Sequence, residues 1–498
     1  MIYLKLISKF FLMSIVALLS IAQSYGQDSD KQVISVGANI GNVPWEFQDT
    51  KGQLIGFEID LVHKIASQLG KEVDIVNIPF SGLFSAVQSN RIDIAISSIT
   101  ITDERLKSVS FAQPYYDSDQ SLTIRSDSSV KTVDDLRGKI VAVDTGSTGD
   151  IWTSENQQKY GFKEIRRYEG ITPAVLDLEI GRTDGYISDI PAMQYYTKDK
   201  PNLEVVERIK TGGSYSMMFS KHNQLAVEVN EVITSLKRAG YINDLHEKWF
   251  GIRAEASTST AKTTAMPGSK EGVVLNFVDT FLNKEVILTT LPMLMLGLKT
   301  TIQLGFISIV LGLILGLALA LLRLYAPYVV GFLAKAYIDV FRSIPLLVLL
   351  IIIFYALPFV GINLSPFYAA ATALVIVSGA YTAEIFRAGI EAIPKGQFEA
   401  SQALGLSYRH MMLDVVLPQA VKIVIPPLTN NSINVIKDTA LASVVAMPDL
   451  LKQATQAQAI AANPTPLIAA AGIYLALLLP LVLYVSHLEK KYRLREYA

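Results

Sequence analysis

Leu311-Gly312-Leu313-Ile314-Leu315-Gly316-Leu317-Ala318-Leu319-Ala320-Leu321-Leu322 closes an apolar run, 299–322. That run is long enough to cross a bilayer hydrocarbon layer of roughly 30 Å. Four further runs of this kind lie C-terminal to it, near 338–358, 366–386, 421–445 and 465–486. The run at 421–445 is interrupted by Pro426, Pro427, Asn430, Asn431 and Lys437, and amphipathic Val286–Leu296 is expected at the interface before the first span. The pattern predicts an all-α transmembrane domain over 286–498 with about five spans.

Working outward, residues 27–253 read like a soluble protein with charge throughout. Short β-branched runs (Val33–Gly37, Val73–Ile78, Ile92–Ser97, Ile140–Val143) alternate with helical stretches. One such stretch, Gly56–Leu69, places Ile59, Val62, Ile65, Ala66 and Leu69 on one face. This alternation predicts α/β lobes with mostly parallel sheets. Between the halves, 254–285 reads as a tether, rich in Ser, Thr, Ala and Lys with Pro267 and Gly268. Residues 1–26 have the layout of a secretory signal: Lys5 and Lys9, an apolar run from Phe10 to Ile21, then Ser24 and Gly26 before Gln27. An uncleaved anchor is the alternative, and either one carries the module from Gln27 onward out of the cytoplasm. Lys and Arg are concentrated in the 323–337 and 387–420 loops and in the tail, which places those segments in the cytoplasm and the N-terminal module outside it.

Composition excludes several classes. A net charge of -1 argues against a nucleic-acid partner, and the absence of cysteine removes disulfides, thiolate metal sites and thiol nucleophiles. The histidines (His63, His222, His246, His410, His487) lack metal-ligand spacing, so no metal is expected. No paired carboxylates stand in a supporting constellation, so the chain is not read as an enzyme. The ATP-cradling pattern GxxxxGK[ST] is absent from the sequence.

Three strand ends carry candidate ligand chemistry. Ser97-Ser98-Ile99-Thr100-Ile101-Thr102-Asp103-Glu104-Arg105 passes from a strand into a helix that Thr102 can cap, and Arg105 offers a bidentate fork to a carboxylate. Taken alone, an Arg in a first helical turn is usually a solvated surface charge; its place after a Ser/Thr-rich strand end favours ligand contact. Asp144-Thr145-Gly146-Ser147-Thr148-Gly149 supplies a tight turn whose hydroxyls and amides suit an anion. Thr183-Asp184-Gly185-Tyr186-Ile187-Ser188-Asp189 ends in an acid that either meets a ligand or caps the next helix.

These stretches, with Gly56-Phe57-Glu58-Ile59-Asp60-Leu61 and Phe80-Ser81-Gly82, resemble the periplasmic amino-acid-binding proteins of ABC importers, the family that includes the glutamine- and histidine-binding proteins. The resemblance covers residues 33–251 and implies two lobes that close on one amino acid. It implies that Arg105 holds the α-carboxylate, helped by Ser98, Thr100 and the Ser147–Thr148 loop, and Ser97 is a further ligand-binding candidate. Asp189 then holds the α-ammonium, and Phe80 packs beside the side chain. The chain is expected to cross between lobes near Leu122–Arg125 and to return near Tyr215–Phe219. Asn39 stands where the family often has an acid and Asn42 where it often has an aromatic. Trp45 could supply that aromatic surface or sit in the core. Asp144 is a further acid for an amide or cationic side chain, so a polar amino acid is expected: glutamine, glutamate or a basic one.

In the second half, Glu399-Ala400-Ser401-Gln402-Ala403-Leu404-Gly405, between Pro394 and Leu417-Pro418-Gln419-Ala420, reads as a short helix ended by Gly405. It resembles the EAA loop of ABC importer permeases, as do Phe341-Arg342-Ser343-Ile344-Pro345 and Lys437-Asp438-Thr439-Ala440-Leu441 around it. The resemblance implies a coupling helix, with Glu399, Ala400 and Gly405, that docks on a separate ATPase subunit; ATP is used there, and this chain holds no cofactor. Glu384, Asn430, Asn431, Lys437 and Asp438 are candidate pathway residues, because ionisable groups in apolar spans are costly. Glu384 could instead simply pair with Arg387. By comparison with the family, five spans are too few for a sealed pathway, so a homodimer through the permease domain is expected. A ligand-gated channel with a similar binding module would split that module around its spans; here it is continuous. The combined expectation is the binding and permease subunit of an ATP-driven amino-acid importer of the inner membrane.

Overall fold

The computed structural model describes residues 33–221, 223–251 and 281–493. The signal segment and nearly all of the tether lie outside the described residues.

The first half forms two lobes. Lobe 1 carries a five-stranded sheet in the order Glu72–Asn77, Val33–Ala38, Ile94–Ile96, Met218–Ser220, Val109–Phe111. Lobe 2 carries Leu203–Tyr215, Tyr116–Arg125, Gly185–Asp189, Ile140–Asp144, Glu164–Tyr168. The expectation of mostly parallel sheets needs correcting. Val33–Ala38 pairs in parallel on both sides, and so does Ile140–Asp144, but Met218–Ser220, Tyr116–Arg125 and Leu203–Tyr215 pair antiparallel. Those antiparallel strands flank the two crossings, where the chain reverses direction between lobes instead of winding through a helix. The first crossing comes after Val109–Phe111 and before Tyr116, earlier than the expected Leu122–Arg125, which lie inside a lobe 2 strand. The return, between Tyr215 and Met218, falls where expected.

Helix Phe57–Gln68 buries Phe57, Ile59, Leu61, Val62, Ile65 and Ala66 against the lobe 1 sheet. Helices Leu225–Arg238 and Tyr241–Phe250 pack onto the same core through Val229, Ile233, Leu236, Ile242 and Leu245. Gly56 precedes the first of these helices at φ +143°, where a Cβ would lie 2.1 Å from the Trp45 carbonyl oxygen, so only glycine fits. Trp45 is 0% exposed and its ring meets Phe57, Tyr116, Tyr215 and Phe250. It is a core residue, and the expectation that it offers a surface to ligand is withdrawn.

The second half is helical. Lys284–Tyr325 is one helix of 42 residues, so Val286–Leu296 continues the first span instead of lying at the interface, and Lys284 and Glu285 belong to this helix, not to the tether. Gly312 and Gly316 let it approach helix Pro366–Glu391: Cβ atoms there would stand 2.7 Å from Ser378 Oγ and 2.5 Å from Thr382 Cβ. The expected second span is broken. Tyr328–Ser343 and Leu346–Val360 meet at 102° across Ile344-Pro345, because the residue before proline is held extended. Within the described residues, four helices are long and apolar enough to cross a membrane, or five if the bent pair is one span. Helix Leu417–Asp438 runs unbroken through Pro426 and Pro427, contrary to the sequence reading. Its packing against Pro366–Glu391, where Gly389 leaves room for Val424, outweighs the lost backbone bonds. Helix Thr465–Arg493 completes the domain.

Candidate functional site

The strand ends of both lobes meet at a cavity of about 150 Å³. Asn39, Phe80, Ser97, Ser98, Thr100, Arg105, Asp144, Ser147, Thr148 and Asp189 all line it, so ten of the eleven expected binding residues converge and Trp45 alone does not.

The lobes are shut on one another. Thr148 Oγ1 lies 2.9 Å from Thr100 Oγ1, Arg105 Nη2 donates to Gly146 O (3.0 Å), Ser98 Oγ to Asp189 Oδ2 (3.4 Å) and Ser81 Oγ to Glu169 Oε2 (3.3 Å). Arg105 is fully buried above Phe80 and Phe84, with Nη1 donating to Thr100 O (2.8 Å). It sits in the first turn of helix Asp103–Ser108, which Thr102 caps by accepting the Arg105 N–H. Burial brings the guanidinium pKa down to about 10. Ser98 has φ +45°, held by its N–H donating to the buried Glu58 (2.9 Å).

On lobe 2, helix Thr148–Tyr160 starts at Ser147, whose hydroxyl accepts the Asp150 N–H (3.1 Å). Part of the hydrogen-bonding capacity expected of Ser147 for ligand is therefore used in capping. Asp189 does not cap the helix after it; it faces the cavity and accepts from Gln120 Nε2. Asp144 accepts from Tyr186 OH (2.6 Å) and Ser188 Oγ (3.1 Å), while its Oδ1 has no partner among the described residues. Burial raises Asp144 to about 7 and also raises Asp189, which Gln120, Ser98 and Arg105 pull partway back. These are carboxylates without a lysine or arginine salt bridge among the described residues. An ammonium or a cationic side chain would meet them favourably.

Sequence reasoning missed several cavity residues, Tyr168, Glu169, Thr172 and Ser188, and named Asn42 only as a departure from the family, though it lines the cavity. Asn42 Nδ2 donates to Ser98 Oγ (3.1 Å) and to Glu46 (3.0 Å). The signal for the Tyr168–Thr172 group was legible: strand Glu164–Tyr168 runs through Gly170 into helix Ile171–Glu179, the same strand-to-helix turn as the other two units. Beneath the cleft, Glu46 and Glu58 are wholly buried and both raised in pKa by burial.

In the permease half, helix Lys395–Ala403 ends as expected, with Gly405 at φ +72°. Phe398 fastens it to Ile393, Met411, Val416 and Ala420. Glu399 and Ala400 are exposed, and so are Leu404 and Tyr408. The pathway candidates do not form one cluster. Glu384 is held by Arg387, by Arg323 (2.8 Å) and by Arg342 (3.8 Å), so the simple pairing reading extends to three arginines. Asn431 donates to Thr382 Oγ1 (3.3 Å), Asp438 is half-buried, and Asn430 and Lys437 are exposed on another face of their helix.

Residues 34–252 match the bacterial extracellular solute-binding proteins, family 3, and residues 308–494 match the binding-protein-dependent transport system inner membrane component. The arginine transport system permease protein ArtQ of Bacillus subtilis (strain 168) is 40% identical over 205 residues, covering 40% of this chain and 93% of that protein. The probable glutamine ABC transporter permease protein GlnM of the same organism is 36% identical over 211 residues, 42% of this chain and 98% of that one. The L-cystine-binding protein TcyJ of Escherichia coli (strain K12) is 30% identical over 226 residues, 45% of this chain and 84% of that protein. The chain thus belongs to the amino-acid ABC transporters, with a solute-binding module and a multi-pass inner-membrane permease joined in one polypeptide.

Proposed function

We propose that the module captures a polar amino acid with a cationic or amide side chain outside the cytoplasm and hands it to the permease, which a separate ATPase subunit drives. The observation that carries the substrate reading is one cavity lined by Arg105, Asp144 and Asp189. Arg105 matches an α-carboxylate and Asp189 an α-ammonium. Asp144, with its unpartnered oxygen, matches a further donor at the end of a side chain. A glutamate side chain would bring a third negative group to that end with no second arginine or lysine lining the cavity, so basic amino acids and glutamine rank above it. The arginine and glutamine permeases among the relatives support the same ranking.

Outward placement of the module is supported by the Lys/Arg bias of the opposite loops. Coupling is supported by the short helix Lys395–Ala403, where Glu399, Ala400 and the following Leu404 are exposed. Pairing of two chains is supported by Asn430, Asn434 and Lys437, an exposed polar row on a membrane-spanning helix that lipid cannot satisfy.

Calorimetric titration of residues 27–253 with the common amino acids tests the substrate class, and binding of none of them sinks it. Arg105→Ala should cost more than about 1.5 kcal/mol of affinity, as a charge-assisted contact is lost. For coupling, Glu399→Lys should abolish ATP-driven uptake while amino-acid binding stays intact; normal uptake would remove the docking role.

A further inference from the structure

Glu46 and Glu58 lie beneath the cleft, both 0% exposed, and no lysine or arginine forms an ion pair with either among the described residues. Local backbone brings them together. The Glu58 N–H, in the first turn of helix Phe57–Gln68, donates to Trp45 O (3.0 Å), and the Glu46 N–H closes a tight turn on Asn42 O (2.9 Å). The two carboxyls are hydrogen-bonded to each other. Carboxylates only accept, so that bond needs a proton on one of them. Donor accounting agrees. Glu46 Oε1 accepts from Asn42 Nδ2 (3.0 Å) and from Ser97 Oγ, and Glu58 Oε1 accepts from the Ser98 N–H (2.9 Å) and from Tyr115 OH. Oε2 of each acid meets no N–H or O–H donor among the described residues. Two like charges side by side out of water are costly, whereas a single proton satisfies both acids.

The hydrogen-bond direction set by this pair reaches the wall of the cavity. Glu46 takes one hydrogen of the Asn42 amide, and the other points to Ser98 Oγ (3.1 Å). Ser98 Oγ therefore accepts on its inner side, and its own hydrogen is turned into the cleft, where it reaches Asp189 Oδ2 at 3.4 Å. A carboxylate seated on Arg105 at ordinary hydrogen-bond distance would outcompete so long a contact. Ser97, by contrast, spends its hydrogen on Glu46. The Ser98 backbone, at φ +45°, is held by its N–H bond to Glu58. Both the place and the donor direction of Ser98 thus trace to the two acids. Tyr115 and Asp189 are the other titratable groups acting on the pair, and Tyr215 acts on Tyr115; burial raises both tyrosines well above their ordinary range, which keeps their hydroxyls protonated.

We propose that Glu46 and Glu58 are positioning residues that share one proton, and that the pair, acting through Asn42 and Ser98, keeps the Ser98 hydroxyl a donor toward the α-carboxylate of the ligand. This rests on the amino-acid-binding reading above. Glutamine can stand in for either acid alone: its carbonyl keeps the two accepted bonds, and its amide supplies the donor that the shared proton supplies in the pair. Two glutamines cannot. Amide then faces amide, and turning one over sets its N–H groups against the Asn42 amide or the Ser98 N–H.

The full chain in lipid nanodiscs is titrated by calorimetry with the common amino acids, L-arginine and L-glutamine first. Glu46→Gln and Glu58→Gln should each stay within about threefold of the unaltered affinity, and the double variant should lose about tenfold or more. On a background of Ser98→Gly, which removes the hydroxyl but tolerates the positive φ, the double variant should cost nothing further, whereas a general loosening of the fold would add its own loss. Infrared difference spectra at about pH 8, above the value of about 7 for Asp144, should show a protonated carboxyl in the unaltered protein that is missing from either single variant. If the double variant does not fold, Asn42→Ala takes its place in the Ser98→Gly cycle, and the infrared spectra of the single variants stand. Three results overturn the positioning role and leave the binding reading intact: single variants as weak as the double, losses that add to Ser98→Gly, or a protonated carboxyl that is absent from the unaltered protein or survives both single substitutions. If no common amino acid binds the unaltered protein, the binding reading falls and the positioning role falls with it.

Discussion

The carboxylates of the two halves are treated in opposite ways. Asp144 and Asp189 are buried in the cleft among hydroxyls and an amide, and one oxygen of Asp144 is unpartnered. Glu384, at the membrane edge, is held by three arginines of this chain. An acid whose charge is matched within the fold has a structural task already done. One whose charge is unmatched, and whose pKa burial has raised, is stabilised by whatever cation enters. The contrast separates binding residues from bracing residues better than rarity of charge in an apolar span does, and it moves Glu384 from the pathway to the brace.

The largest effect that could break this contrast is on affinity. Asp189→Asn should weaken amino-acid binding about ten- to a hundredfold, as a charge-assisted contact to the α-ammonium is lost. Glu384→Gln should leave affinity within about twofold; calorimetry on the full chain measures both, and the reverse order would overturn the assignment. Next, Asp144→Asn should weaken arginine binding about tenfold and hardly change glutamine binding. Arginine affinity of the unaltered protein should fall as pH drops below about 7, where Asp144 takes up a proton. A pH-independent arginine affinity would remove Asp144 from side-chain recognition.

Stability without ligand should run the other way. Glu46, Glu58, Asp144 and Asp189 all have folded-state pKa values above those of unfolded carboxylates. The folded module therefore binds more protons than the unfolded chain between the two sets of values, and its melting temperature should rise from pH 8 to about pH 5. A flat or falling melting temperature over that range would show that these acids are solvated. The smaller effects are two. Glu384→Gln should lower permease stability by about 1 kcal/mol, given its partial exposure, read by detergent melting. Trp45→Phe should lower module stability and shift affinity by less than about twofold, because its ring lies in the core.

Much of the site was legible because its parts are local. A hydroxyl-rich strand end followed by a helix cap is written within a few residues, and Ser97–Arg105 and Asp144–Gly149 fold as that pattern reads. A fourth strand end, Tyr168–Thr172, also runs into a helix and was passed over. Trp45 could not be placed from its neighbours in sequence, since Tyr215 and Phe250, which surround it, come from the far end of the module. The bend in the second span was not read from its apolar run, because hydropathy is blind to direction. Ile344-Pro345 held the cue to the bend. The proline pair at 426–427 gave the opposite error, a break where packing preserves the helix.

By itself the sequence determined the division into a charged α/β half and an apolar helical half, the strand-end position of Arg105, Asp144 and Asp189, and the short helix stopped by Gly405. Each depends on burial periodicity or turn chemistry over a handful of residues. Only the tertiary structure decided which hydroxyls meet across the cleft, which acids stand without a lysine or arginine salt bridge among the described residues, and that Lys452 lies on Glu169, 283 positions away. Contacts at that separation arise from how whole elements pack, and no local pattern encodes them.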